Sequence, residues 1–240
     1  LLANRARPSL DHPVLGRRVF AEYLGSLLLA AVVIGSGIAA QALSPNATGL
    51  DLLENAAATA AGLYVLILMM GPVSGAHFNP VVSLVDAASG GLRWRDVPCY
   101  VAAQVLGCVS GAVVANLMFS RAALSISRHH RASMAHLLAE VVATAGLILV
   151  IFALTRSGRG RLCAPAVGTY IGAAYFFTSS TSFANPAIAV GRMFSKSFAG
   201  IAPASVPGFI VAELVGGAIG FVCVIALYPH AARELHELES

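Results

Sequence analysis

The sequence predicts an all-α membrane protein of six transmembrane helices and two re-entrant half-helices, arranged as an inverted repeat. Three observations predict it: six apolar stretches long enough to cross a bilayer, two shorter ones that each open at Asn-Pro, and an echo of the first half of the chain in the second. Composition sets the frame. Hydrophobic residues make up 58% and charged residues 11% of the chain, with mean hydropathy +0.79, where a soluble domain carries about 25% charge. The net charge of +4 is modest and sits in loops and termini; that suits a membrane surface and offers no basic face for nucleic acid.

A span needs about 20 apolar residues to cross roughly 30 Å of hydrocarbon. The first qualifying stretch, about 19–42, carries Glu22 near its start. Residues 1–19 ahead of it hold Arg5, Arg7, Arg17 and Arg18 but no small-residue cleavage site, so they are not expected to form a signal peptide. The second span runs over about 54–71. After a Gly/Ser-rich turn comes the first short piece, about 79–88, opening at Asn79-Pro80-Val81. The third span, about 97–119, holds Gln104 ahead of the run Gly107–Gly111. A basic loop with Arg128, His129, His130 and Arg131 leads to the fourth span, about 133–154, which carries Glu140. The fifth is about 162–180, and the second short piece, about 185–194, opens at Asn185-Pro186-Ala187. The sixth, about 206–227, repeats the pattern of the third, with Glu213 ahead of Gly216–Gly220. Both glycine runs read as close helix contacts. The four cysteines, Cys99, Cys108, Cys163 and Cys223, lack metal-like spacing and read as small apolar residues; His129-His130 reads as part of a solvated basic loop.

Three spans per half is an odd number, so the second half inserts upside down relative to the first. Inverted repeats with broken helices at matching positions point to a site near the bilayer midplane. A nine-residue helix rises roughly 13 Å, about half the hydrocarbon thickness, so two such pieces entering from opposite sides meet N-terminus to N-terminus. Proline costs little in a first helical turn, and asparagine before it is a preferred cap with amide donors to spare. Each helix start carries roughly half a positive charge. Cations are repelled there, while neutral solutes with lone pairs accept from Asn79 and Asn185. A lone Asn-Pro is a turn; two of them, 106 positions apart in matching places, predict a pore.

On these residues the chain resembles the major intrinsic protein family, the aquaporins and aquaglyceroporins. The resemblance runs over about residues 19–228, and its most specific segment is Ser74-Gly75-Ala76-His77-Phe78-Asn79-Pro80, matched in place by Ser180 to Pro186. It implies a right-handed six-span bundle with one pore per subunit and a homotetramer. It also implies that Glu22 and Glu140 accept N–H bonds from the re-entrant loops, the alternative being snorkelling to an interface. Gln104 and Glu213 are expected to give similar support. His77 falls on the cytoplasmic pore wall, or stabilises its turn.

The family's second motif continues with arginine at the narrow outer part of the pore, where this chain has Ile188. Counting from each asparagine carries the other filter positions onto Thr59, Ala173 and Ser182. All are small and Ile188 gives up a donor fork, so the expected mouth is wide and weakly polar. Val81 stands where alanine is commoner. Arg192, seven residues after Asn185, shares its helical face; it either restores a positive charge one turn outward or binds carbonyls at a helix end. Lack of the filter arginine also resembles bacterial members associated with arsenic resistance.

The expected function is a passive channel for water and small uncharged solutes, such as glycerol-like polyols or neutral metalloid hydroxides. A channel for organic or oxyanionic arsenicals aided by Arg192 is one alternative. The other is a secondary transporter, which would want acids beside the half-helices; the acid within them is Asp86, near an outer end. No nucleophile–base pair or metal cluster suggests an enzyme, and no metal or cofactor is expected; the partners are the solutes and the lipid bilayer. Ten Lys and Arg fall on the side of both termini and five on the other, which places both termini in the cytoplasm and the chain in the inner (plasma) membrane. The channel domain is expected at 19–228, with half-repeats at about 19–120 and 133–228, between cytoplasmic tails at 1–18 and 229–240.

Overall fold

The computed structural model describes residues 13–229; the tails' outer parts, with Arg5, Arg7 and Arg233, lie outside the described residues. Eight α-helices follow one another: α1 Leu15–Leu43, α2 Thr48–Ser74, α3 Pro80–Ala88, α4 Val97–Met118, α5 Met134–Arg156, α6 Cys163–Phe177, α7 Pro186–Arg192 and α8 Val206–Leu227. Six are the expected spans, and α3 and α7 are the two half-helices. The fifth span is shorter than its apolar run. Thr178 leaves helical backbone with ψ 137 and turns its hydroxyl back onto Ala174 O at 2.6 Å, so α6 rises only about 22 Å.

The two halves pack alike. In the first, α4 lies along α1; in the second, α8 lies along α5. Each pair closes on glycines: a Cβ at Gly107 or Gly111 would run into the α1 backbone at Tyr23 and Leu27, and one at Gly216 or Gly220 into α5 at Val141 and Ala145. Without a hydrophobic drive between helices in lipid, such backbone-to-backbone approach is what supplies the packing. The half-helices nest inside this frame. Gly191 of α7 sits on Cys108 of α4, which explains a fully buried thiol at that point. Val81 of α3 fills the hollow over Gly217 of α8, so its extra bulk has a place.

Helix direction alternates, so segments 89–96 and 157–162 share a side with residues 13 and 229, the near side. On the far side, the segment after α4 is laced to the one after α7. Ser127 N donates to Met193 O at 2.8 Å and Ala202 N to His129 O at 2.8 Å, while Asn116 Nδ2 donates to Phe194 O at 2.8 Å. The outward faces remain apolar and exposed, as with Leu53, Val65, Leu68 and Met69 on α2.

Candidate functional site

The half-helices meet at their N-termini, and the two asparagines lock them together. Asn79 and Asn185 both have extended backbone, with φ −149 and −160, and each side-chain oxygen caps its own helix. Asn79 Oδ1 accepts from Val81 N at 2.9 Å, and Asn185 Oδ1 accepts from Ala187 N at 3.0 Å and Ile188 N at 3.3 Å. Each amide nitrogen then crosses to the other loop: Asn79 Nδ2 donates to Ala184 O at 2.7 Å, and Asn185 Nδ2 to Phe78 O at 2.8 Å. An amide nitrogen carries two hydrogens, so each asparagine keeps one donor after this clasp. Pro80 and Pro186 take the first helical position, where no N–H is missed.

The loops feeding these caps are strained in matching places. Gly75, Ala76 and Phe78 have φ of 91, 52 and 51; Thr181, Ser182 and Ala184, at the same distances before Asn185, have 65, 48 and 47. Left-handed backbone at five non-glycine residues persists only where the surroundings over-determine it. Buried carboxylates do so here. Glu22 accepts from His77 N at 2.9 Å, Phe78 N at 2.7 Å and Ser74 Oγ at 2.6 Å. Glu140 accepts from Phe183 N at 2.9 Å and Ala184 N at 2.7 Å. Both glutamates are fully buried, and each cradles the two N–H groups immediately before an asparagine. The repeat-related pair Gln104 and Glu213 acts differently in each half. Gln104 Nε2 donates to Glu22 at 2.8 Å and to Ser83 Oγ at 2.9 Å, whereas Glu213 Oε1 accepts from Asn185 N itself at 3.0 Å.

One cavity of about 1390 Å³ passes both asparagines, lined on the near side by residues including Arg18, His77, Asp86 and Arg161, and on the far side by Thr59, Ser182, Ile188 and Arg192. His77 contributes to this wall while also being held: its Nδ1 lies 3.0 Å from Ser83 Oγ and its Nε2 3.5 Å from Asp86 Oδ2.

Ala173 is the correction among the expected filter positions. It is exposed on the outside of α6, and the α6 side chain facing the cavity beside Thr59 is Tyr175. Two residues along a helix turn the side chain by roughly 200°, so counting back from Asn185 across an irregular loop put the wrong face inward. The buried residues Ala164, Val167, Gly168, Ile171, Ala174 and Tyr175 trace the inward stripe, and that periodicity was the available signal. Tyr175 OH and Thr59 Oγ1 share a hydrogen bond of 3.1 Å. The ring at this level therefore has a tyrosine where a small residue was expected, and it is narrower and more polar than Ala173 would make it.

Arg192 has features of both readings. It is 1% exposed, its Nε donates to Ala199 O, and it lines the cavity with its guanidinium carbon 3.4 Å from the centre of the Phe183 ring. Sequence reasoning missed its neighbour Arg131, whose guanidinium carbon is 5.4 Å from the same ring. Arg131 donates to Gly200 O at 3.0 Å, Phe198 O at 3.0 Å and Ser180 O at 3.4 Å. Burial pushes its pKa down to about 10, still charged at neutral pH. Its position within a run of loop charges hid it; only the contacts mark it out.

Comparison with known proteins agrees with this geometry. The family model for major intrinsic protein matches residues 9–183. The aquaglyceroporin AqpS of Rhizobium meliloti (strain 1021) is 50% identical over 214 residues, 89% of either chain. The glycerol uptake facilitator protein of Streptococcus pneumoniae is 30% identical over 195 residues, 72% of this chain and 80% of its own. Among solved structures, the aquaglyceroporin from Plasmodium falciparum is similar with TM-score 0.67 over 93% of this chain and 99% of that one, at 21% identity, a likeness of fold.

Proposed function

This chain belongs to the major intrinsic protein family and is a multi-pass membrane channel for water or glycerol-type solutes, not an enzyme; from that premise we propose that it passes small uncharged solutes, glycerol-like polyols and neutral metalloid hydroxides among them, through the cavity between α3 and α7. The observation that carries this reading is the reciprocal clasp of Asn79 and Asn185 inside a continuous cavity. Two opposed helix starts make the midpoint positive and repel cations, including a hopping proton. The remaining amide hydrogens supply donors to a solute's lone pairs.

Selection then falls to the far-side ring of Thr59, Tyr175, Ser182 and Ile188. Thr59, Tyr175 and Ser182 bring hydroxyls to this ring and Ile188 an apolar side chain, a lining that suits a solute carrying both hydroxyls and C–H groups. Glu22, Glu140, Gln104 and Glu213 act by holding the loops rather than by meeting solute, and His77 shapes the near-side wall. Residues 19–228 work as one channel domain of two half-repeats. Within the described residues Arg17, Arg18, Arg93, Arg95, Arg156, Arg159 and Arg161 outweigh the five far-side charges, so the near side is cytoplasmic in the inner membrane. The exposed apolar face of α2 is available to lipid or to other copies in a homotetramer.

Stopped-flow light scattering on proteoliposomes, with no gradient of H⁺ or Na⁺, tests the proposal. Water, glycerol and arsenite are compared. Solute flux that needs an ion gradient would indicate a transporter, and flux of water alone would end the reading of the far-side ring.

A further inference from the structure

Arg131 and Arg192 are both at least nine-tenths buried, at 5% and 1% exposure, and both reach the ring of Phe183. Among the described residues the ion pairs are those of Arg18, Arg93 and Arg95 with Asp96 and of His77 with Asp86; neither far-side arginine has a carboxylate within ion-pair distance. The nearby acids bond to loop N–H groups rather than to the arginines, Glu213 keeping its Oε2 without a partner. Glu140 takes the backbone N–H groups of Phe183 and Ala184, and Glu213 takes that of Asn185. Two guanidinium charges are thus removed from water with carbonyl oxygens as their partners, an arrangement that costs several kcal/mol per ion unless an opposite charge compensates.

The unspent donors belong to residues that line the same cavity. Arg131 spends all three guanidinium nitrogens on Gly200, Phe198 and Ser180, which fixes it behind the wall. Arg192 has one hydrogen bond among the described residues, from Nε to Ala199 O, and its side chain lines the cavity. Ser182, also lining the cavity, has a buried hydroxyl with no partner. A planar fork with free terminal nitrogens, a spare hydroxyl and no carboxylate in ion-pair contact match the needs of a group with two oxygens sharing one negative charge.

We propose that the far-side mouth of this pore is an anion site, in which Arg192 and Ser182 hold a small carboxylate or similar two-oxygen monoanion while Arg131 braces the Phe183 ring on which Arg192 lies. This rests on reading the cavity as a pore and adds an occupant of different charge from the neutral solutes that cross it. The positive midpoint formed by α3 and α7 lies beyond the site and adds to its attraction for an anion. The other far-side charges, Arg121, Arg128 and Lys196, raise its local concentration.

Glycerol efflux from proteoliposomes is measured at constant ionic strength as formate replaces chloride, each variant being referred to its own flux without formate. The wild type is expected to slow, with half the effect at formate concentrations on the order of millimolar. Arg192→Gln is expected to raise that concentration roughly tenfold or more, Arg192→Lys less, and Arg131→Gln a few-fold. Thermal unfolding of the detergent-solubilised wild type gives a second reading that needs no flux: formate should raise the midpoint relative to chloride. Formate-insensitive glycerol flux together with an unmoved midpoint overturns the anion site and leaves the channel standing. A raised midpoint in a protein that conducts neither water nor glycerol supports the site and defeats the channel reading instead.

Discussion

Asn79 and Asn185 donate their side-chain amides to each other's loop, to Ala184 O at 2.7 Å and to Phe78 O at 2.8 Å, so neither half of the pore centre is complete without the other. Each acceptor belongs to a residue in left-handed backbone, φ 47 at Ala184 and 51 at Phe78, and that twist turns the carbonyl toward the opposite half. The clasp and the strain are one device.

Asn185→Ala removes a cap worth about 1 kcal/mol and leaves Phe78 O without its donor. Water flux through proteoliposomes is expected to fall severalfold and a proton leak to appear, read with an internal pH-sensitive dye. Unchanged exclusion of protons would contradict the role given to the helix starts.

Glu22 accepts four hydrogen bonds, from Ser74, His77, Phe78 and Gln104, against two loop N–H bonds at Glu140. Replacing a buried carboxylate that serves backbone N–H groups costs on the order of 2–4 kcal/mol. Both Glu22→Gln and Glu140→Gln should lower the thermal midpoint in detergent, Glu22→Gln by more. An equal or reversed order would argue against counting bonds in this way.

Tyr175→Ala is expected to open the far-side ring and raise glycerol flux relative to water. Tyr175→Phe keeps the volume but strips the hydroxyl bonded to Thr59. A hydrogen bond to solute worth about 1 kcal/mol then predicts a glycerol-to-water ratio lowered about fivefold. If Ala173→Leu changes that ratio and Tyr175→Phe does not, the assignment of the inward face of α6 is wrong.

Gly111→Val forces a side chain into the α1 backbone at Leu27, and overpacking of this kind costs about 3 kcal/mol. Expression and thermal midpoint should drop sharply. Gly16→Ala, where a Cβ meets nothing within 4 Å, serves as the comparison and should leave both unchanged.

His129, exposed on the far side, has its pKa lowered from 6.5 by partial desolvation and then by the charge of Arg131, whose Nη2 lies 3.5 Å from its ring. The unfolded chain therefore binds a proton more readily than the folded one. Stability contributed by the neutral ring is present above pH 6.5 and is lost as pH falls from there through the lower folded value. The thermal midpoint should decline over that window, and less steeply in His129→Gln.

How much of this was readable in advance depends on whether the signal is local. The spans, the half-helices and the caps were legible because apolar length, Asn-Pro and glycine spacing act within one helix or between two aligned ones. The glutamates were legible as costly residues in apolar runs, though their partners came from resemblance. Tyr175 was not found, since its orientation depends on where α6 ends and how the 178–185 loop folds back, and residue counting carries no rotation across irregular backbone. Arg131 was not found either. Its significance lies in reaching the ring of Phe183, 52 positions away, which Arg192 also reaches.

The sequence by itself determined that this chain crosses a membrane six times and brings two Asn-Pro helix starts to the bilayer midplane, because those outcomes follow from hydrophobic length, chain parity and capping chemistry. Only the tertiary structure decided which side chains ring the far mouth and which charges lie there without a carboxylate partner. Helix phase and loop closure, which set them, are resolved by packing between segments distant in the chain.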